Sequence, residues 1–222
     1  MVIAHRSHGS GGPVTLVAHG LGATPGEARL PASGLPGTRV VVTLPGHGDA
    51  PDAPPGYWTY SGIAADLRAV ARETGATRAV GVSLSSAALL ALLADEPDAF
   101  ERVVLLLPAV LDRPRGSLTR EQAITAVPGP ADYLAQRRAA FDRLDGVLEA
   151  LTGQVAVTDR EALSRVTAPV LVVGATEDPL HPSDVAAQVA AAFPKGELEL
   201  VPTWLSHRGD VRRRVVEFLA RG

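Results

Sequence analysis

The stretch Gly81-Val82-Ser83-Leu84-Ser85 stands where an apolar run, Ala76 to Val82, gives way to strong helix formers, Ala87 to Ala94. A serine at such a junction sits on a sharp strand-to-helix turn, with its hydroxyl exposed and the first helical N–H groups beside it. That placement suits a nucleophile. It also suits a helix cap, a role for which serine is a preferred residue. A neutral hydroxyl attacks poorly unless a base lies within hydrogen-bond reach and a third group orients that base. The chain offers His19-Gly20 at the end of an earlier apolar run, and Asp178 followed by His207 after Ser83.

These residues need a scaffold that brings distant segments together. Short valine-rich runs recur at Val14 to Ala18, Arg39 to Leu44, Ala79 to Val82, Val103 to Leu107, Pro169 to Gly174 and Glu197 to Val201. Near-continuous apolar character reads as strands buried on both faces. Helix-like segments separate them at Ser61 to Thr74, Ser85 to Asp95, Ser183 to Phe193 and Gly209 to Ala220. Alternation of this kind predicts an α/β fold, a doubly wound and mostly parallel sheet with flanking helices. Ile63, Leu67, Val70 and Ala71 mark the stripe by which one helix packs on the sheet, with Ser61 placed as its cap. Between Ala109 and Ala168 the alternation stops. Tyr133, Leu134, Phe141, Leu144, Leu148 and Leu151 recur there at helical spacing and are expected to pack on the domain and roof a pocket.

Taken in order, the landmarks resemble the α/β-hydrolase superfamily over nearly the whole chain. They are the strand ending in His19-Gly20, the strand leading to Leu44-Pro45-Gly46-His47-Gly48, the serine turn, the strand leading to Asp178-Pro179, and Ser206-His207 before the last helix. The resemblance implies one α/β-hydrolase domain over 1–222, with a trimmed N-terminal edge in which only Val2 to His5 has room for a strand. It also implies a short helical lid at about 110–167.

For the site, it implies Ser83 as nucleophile, His207 as base and Asp178 as orienting acid, with Glu177 the rival carboxylate. By the same analogy the oxyanion donors are the backbone N–H groups of Leu21 and Leu84. His19, Gly20, Ser85, Tyr133 and Phe141 are expected around the substrate pocket. Ser85 departs from the family pattern, which has glycine there, and implies either slightly looser helix–strand packing or a hydroxyl near the site.

The expected reaction is cleavage of an ester or thioester through an acyl-enzyme, without a cofactor. Alternatives are a lyase, elimination or acyl-transfer enzyme on the same scaffold, or a catalytically silent binding protein. Arg113 and Arg115 at the start of the insertion read as solvated loop arginines or as groups that bind an anionic substrate.

Composition bounds the remaining classes. The 222 residues carry 21 basic and 24 acidic side chains, a net charge of −3, and their mixing gives no footprint for nucleic acid. Without cysteine there is neither a disulfide nor a thiol nucleophile. The six histidines lack paired helical spacing, so no metal site is expected. No apolar run reaches the roughly 20 residues of a membrane span, and Met1 to Pro13 lacks the pattern of a secretory signal, so the expectation is a cytoplasmic protein acting on a small-molecule substrate. Lys195 is the sole lysine among many arginines, a usage that suggests a GC-rich bacterial source.

Overall fold

The computed structural model describes residues 3–126 and 130–221. The expected apolar runs form β2 (Val14–Ala18), β3 (Thr38–Thr43), β4 (Arg78–Val82), β5 (Arg102–Leu106), β6 (Val170–Ala175) and β7 (Gly196–Val201), preceded by β1 (Ala4–His8). Among the described residues these make one seven-stranded sheet in the order β1-β3-β2-β4-β5-β6-β7. All neighbours are parallel except β1, which runs antiparallel to β3 from Ala4 opposite Thr43 to His8 opposite Arg39.

The continuous apolar runs arise because successive strand residues serve two cores. Leu16, Val103 and Leu105 face one, while Val17, Val104 and Leu106 face the other. On the first face lie α2 (Tyr60–Thr74), α3 (Leu84–Asp95) and α7 (Ser183–Ala191), through side chains that include Ile63, Leu67, Leu89, Leu90 and Val189. The second face is covered by α8 (Arg208–Ala220), which inserts Val211, Val215, Phe218 and Leu219. No helix among the described residues is long and apolar enough to cross a membrane.

Two local expectations are corrected. The cap of α2 is Thr59 rather than Ser61: Thr59 has extended backbone, and its Oγ1 accepts from Gly62 N at 2.9 Å, while Ser61 already lies inside the helix. The edge strand begins at Ala4 and continues to His8, where Val2 to His5 was expected. Val2 lies outside the described residues. Most of this strand is exposed, so ladder pairing with β3 holds it without an apolar signature.

A short helix absent from the sequence reading, α1 (Pro25–Arg29), follows β2. Thr24 and Glu27 hold its first turn as a reciprocal capping box.

Between β5 and β6 the chain forms α4 (Arg120–Thr125), α5 (Ala131–Asp142) and α6 (Val147–Leu151), then a 3-10 stretch at Arg160–Arg165. The expected apolar stripe is thus divided between α5, a turn and α6. Phe141, Leu144 and Leu151 are buried, whereas Tyr133, Leu134 and Leu148 are partly exposed. Polar anchors fix the segment to the sheet side: Arg143 donates to the carbonyls of Gly48 and Ala50, and Gln154 Nε2 donates to Trp58 O. Arg137, buried, pairs with Glu27 of α1 at 3.3 Å.

Candidate active site

Ser83 joins β4 to α3 with φ 50° and ψ −106°, a backbone conformation that costs a non-glycine residue on the order of 1–3 kcal/mol. Several contacts enforce it. Ser83 N donates to Leu106 O at 2.9 Å, and Ser86 Oγ donates to the carbonyls of Gly81 and Leu106. Gly81 lets helix and strand approach, since a Cβ there would stand 2.8 Å from Ser85 O. This corrects the looser packing expected from Ser85. Gly20 plays the same part opposite, where a Cβ would come within 3.3 Å of Ser83 Cβ. The Ser83 side chain makes no helix cap. Its Oγ lies 2.8 Å from His181 Nε2.

His181 and Asp178 come from the turn between β6 and α7. Asp178 Oδ1 accepts from Leu180 N at 2.8 Å, which tightens the turn and places the other carboxylate oxygen 2.8 Å from His181 Nδ1. A carboxylate only accepts, so Nδ1 carries the proton and Nε2 is left to accept from the serine hydroxyl. Burial alone would raise the Asp178 pKa. The hydrogen bond and charge of His181, with the amides of Leu180 and His181, outweigh it and hold the carboxyl below its ordinary value. Glu177, the rival acid, is exposed, and its backbone N–H is tied to Pro202 O.

The imidazole that meets Ser83 is therefore His181, and the expectation for His207 is corrected. His207 precedes α8, where its carbonyl accepts from Val211 N and its Nδ1 donates to Thr203 O at 3.0 Å. Serine, acid and histidine keep their order along the chain with either imidazole. The signal for His181 was the spacing Asp178-Pro179-Leu180-His181-Pro182, in which an aspartate-stabilised turn returns the histidine to its own carboxylate.

Two buried histidines shape the loop after β2. His19 Nδ1 donates to Gly20 O and its Nε2 accepts from Leu44 N. His47 Nδ1 donates to Pro45 O, and its Nε2 accepts from Gly22 N at 2.9 Å. Each ring thus needs one nitrogen without a proton. Burial lowers both pKa values, that of His47 to about 3, with the neighbouring His19 adding to the effect. Ser85 Oγ donates to His19 O at 2.5 Å, binding α3 to the same loop.

Two cavities meet at Ser83 and share Leu21, Arg115, Leu118 and Leu148. The smaller, about 50 Å³, is bordered by Tyr60, Leu84, Ala87, Val110 and Leu151. The larger, about 130 Å³, holds His181 together with Glu27, Leu107, Arg137, Phe141 and Trp204. Of the expected pocket residues, Gly20 and Phe141 line the larger cavity, and the expected oxyanion residues Leu21 and Leu84 both border the smaller. His19, Ser85 and Tyr133 line neither. The first two are spent on the buried loop contact, and the Tyr133 hydroxyl donates to Glu27 at 2.7 Å.

A family model described as the alpha/beta hydrolase family matches residues 15–210. Among solved structures, a putative lipase from Acinetobacter baumannii AYE is similar with a TM-score of 0.79 at 16% identity, over 97% of this chain and 86% of that one. A hydrolase from Pseudomonas aeruginosa PA01 aligns with a TM-score of 0.79 at 20% identity, covering 99% and 94%. An esterase from Exiguobacterium antarcticum gives 0.78 at 18%, covering 99% and 96%. At these identities the likeness is one of fold. No curated protein matches the chain.

Proposed function

We infer that this chain, which belongs to the alpha/beta hydrolase family, is a serine hydrolase that cleaves a carboxylic ester or thioester through an acyl-enzyme on Ser83. The observation that carries this reading is the pair of 2.8 Å hydrogen bonds linking Ser83 Oγ to His181 and His181 to Asp178. His181 Nε2 takes the hydroxyl proton as Oγ attacks the acyl carbonyl, and Asp178 stabilises the imidazolium that forms. The developing oxyanion is received by the N–H groups of Leu84 and Leu21. Leu84 suits the task because, as the first residue of α3, its N–H has no acceptor within the helix. Collapse of the tetrahedral intermediate expels the leaving group, which takes its proton from His181. Water then attacks the acyl-enzyme by the same route in reverse.

Residues 110–167 serve as the lid, contributing Arg115, Leu118, Phe141 and Leu148 to the cavity walls. A short-chain ester such as 4-nitrophenyl acetate tests the reading. Ser83→Ala abolishes turnover, and Asp178→Asn lowers kcat by on the order of 10⁴, the loss expected when the imidazole tautomer is no longer fixed. Undiminished turnover in Ser83→Ala would overturn the assignment.

A further inference from the structure

Arg115 borders both cavities that meet at Ser83. Among the described residues no carboxylate lies within ion-pair distance of it, and its hydrogen bond is a long one, 3.4 Å from Nη2 to Leu180 O. The other pocket cation, Arg137, is neutralised by Glu27. Asp178 is near enough to act on Arg115 through its field, but both carboxylate oxygens are engaged, one by Leu180 N and one by His181. Burial lowers the Arg115 pKa against the opposing influence of Tyr60 and Asp178, so the guanidinium is partly stripped of water. A partly desolvated guanidinium without an ion-pair partner gains strongly from a carboxylate or phosphate that enters with a ligand.

The side of the cavity follows from proton transfer. A leaving group must reach His181 Nε2, and His181 borders the larger cavity, so the smaller cavity beside Leu84 takes the acyl chain. Its small volume, about 50 Å³, suits a short chain. Its walls are apolar apart from Ser83, Tyr60, Thr152 and Arg115, with Arg115 the only charged residue.

We propose that the enzyme prefers short acyl esters carrying an anionic group on the acyl chain, such as half-esters of small dicarboxylic acids, and that Arg115 binds that group. The proposal rests on the serine-hydrolase reading, and its test separates the two. Monomethyl glutarate and methyl pentanoate have acyl chains of nearly the same size and differ in the terminal carboxylate. Turnover of both is followed by acid release for the wild type, Arg115→Gln and Arg115→Lys. The expected wild-type ratio of kcat/KM is at least about tenfold in favour of the anionic ester, as befits a charge-assisted hydrogen bond. It falls to about one in Arg115→Gln and is partly retained in Arg115→Lys. The ratio, and not either absolute rate, is the readout, so a general effect of Arg115 on the Asp178 turn cancels.

Calorimetry of the same two esters with Ser83→Ala protein gives a readout independent of turnover, and monomethyl glutarate is expected to bind the more tightly. A wild-type ratio of one or less, or a preference that survives Arg115→Gln, overturns the proposal while leaving the hydrolase reading intact. Tighter calorimetric binding of the anionic ester with no wild-type turnover of either ester or of 4-nitrophenyl acetate supports the Arg115 site and overturns the hydrolase reading. Equal calorimetric binding of the two esters overturns the Arg115 site.

Discussion

At the residue scale the proposed chemistry depends on which side chains are free to move protons and which are committed to structure. His181 and His207 both follow Ser83, and chain order cannot separate them. The turn geometry does so, because Asp178 engages Leu180 N and His181 Nδ1 together. Of the three hydrogen-bonded side chains, Ser83 stood out in the sequence from its strand-to-helix junction and Asp178 from the family resemblance, which left Glu177 as its rival. His181 did not, because its neighbourhood to Ser83 depends on how one five-residue turn folds.

Ser85 belongs to the structural group. It is fully buried, and its hydroxyl is spent on His19 O. Ser85→Ala is expected to lower stability by about 1 kcal/mol, the worth of one net hydrogen bond. It should change turnover by less than about tenfold. Urea unfolding and ester turnover measured on the same preparation check both figures. A rate loss on the order of 10²-fold with stability unchanged would mean that the hydroxyl acts on the reacting group.

At the element scale, the strands followed from sequence to within a residue or so; β2 to β6 are largely buried and read as near-continuous apolar runs, whereas β7, at the sheet edge, shows itself by the alternation in Glu197-Leu198-Glu199-Leu200-Val201. What escaped was held by polar or backbone contacts. The strand β1 is mostly exposed and paired along one edge, and α1 is five residues fixed by the Thr24–Glu27 box, a signature that was present in Thr24-Pro25-Gly26-Glu27 but carries no apolar stripe. The insertion before β6 shows one apolar stripe in the sequence because Phe141, Leu144, Leu148 and Leu151 keep helical spacing across the turn between α5 and α6. The close β4–α3 approach makes a further prediction. In Gly81→Ala the new Cβ would meet Ser85 O at 2.8 Å and Leu89 Cδ1 at 2.7 Å, which forces the elbow to shift. Overpacking of this kind costs about 1–3 kcal/mol. The variant should therefore show a lower thermal midpoint together with reduced turnover, whereas a wild-type midpoint would contradict the packing described.

For the whole molecule, the sheet brings the end of β4, the turn after β6 and the loop after β2 to one edge, where Ser83, His181 and the His19–His47 pair meet the insertion. The buried histidines tie stability to pH. Unfolded, each takes up a proton near its ordinary value of about 6.5. Folded, each stays neutral to lower pH, His47 down to about 3. Below about 6.5 the unfolded chain therefore binds more protons, and stability falls as pH drops. For His47 the loss continues toward pH 3 with a slope of up to ~1.4 kcal/mol per pH unit, and above about 7 it vanishes. Urea midpoints at pH 8, 6.5 and 5 should decline accordingly, and His47→Gln should decline less steeply. Equal slopes in the two proteins would contradict the assignment of His47 as a buried neutral group.

The central claim is that Ser83 is activated by His181. The most direct measurement is the rate at which a fluorophosphonate probe labels Ser83 in the wild type, His181→Ala and His207→Ala, with the modified residue located by peptide mass spectrometry. The account predicts labelling at Ser83 in the wild type, a rate within about tenfold of it in His207→Ala, and a loss on the order of 10³-fold or more in His181→Ala. Retained labelling in His181→Ala together with its loss in His207→Ala would contradict the account.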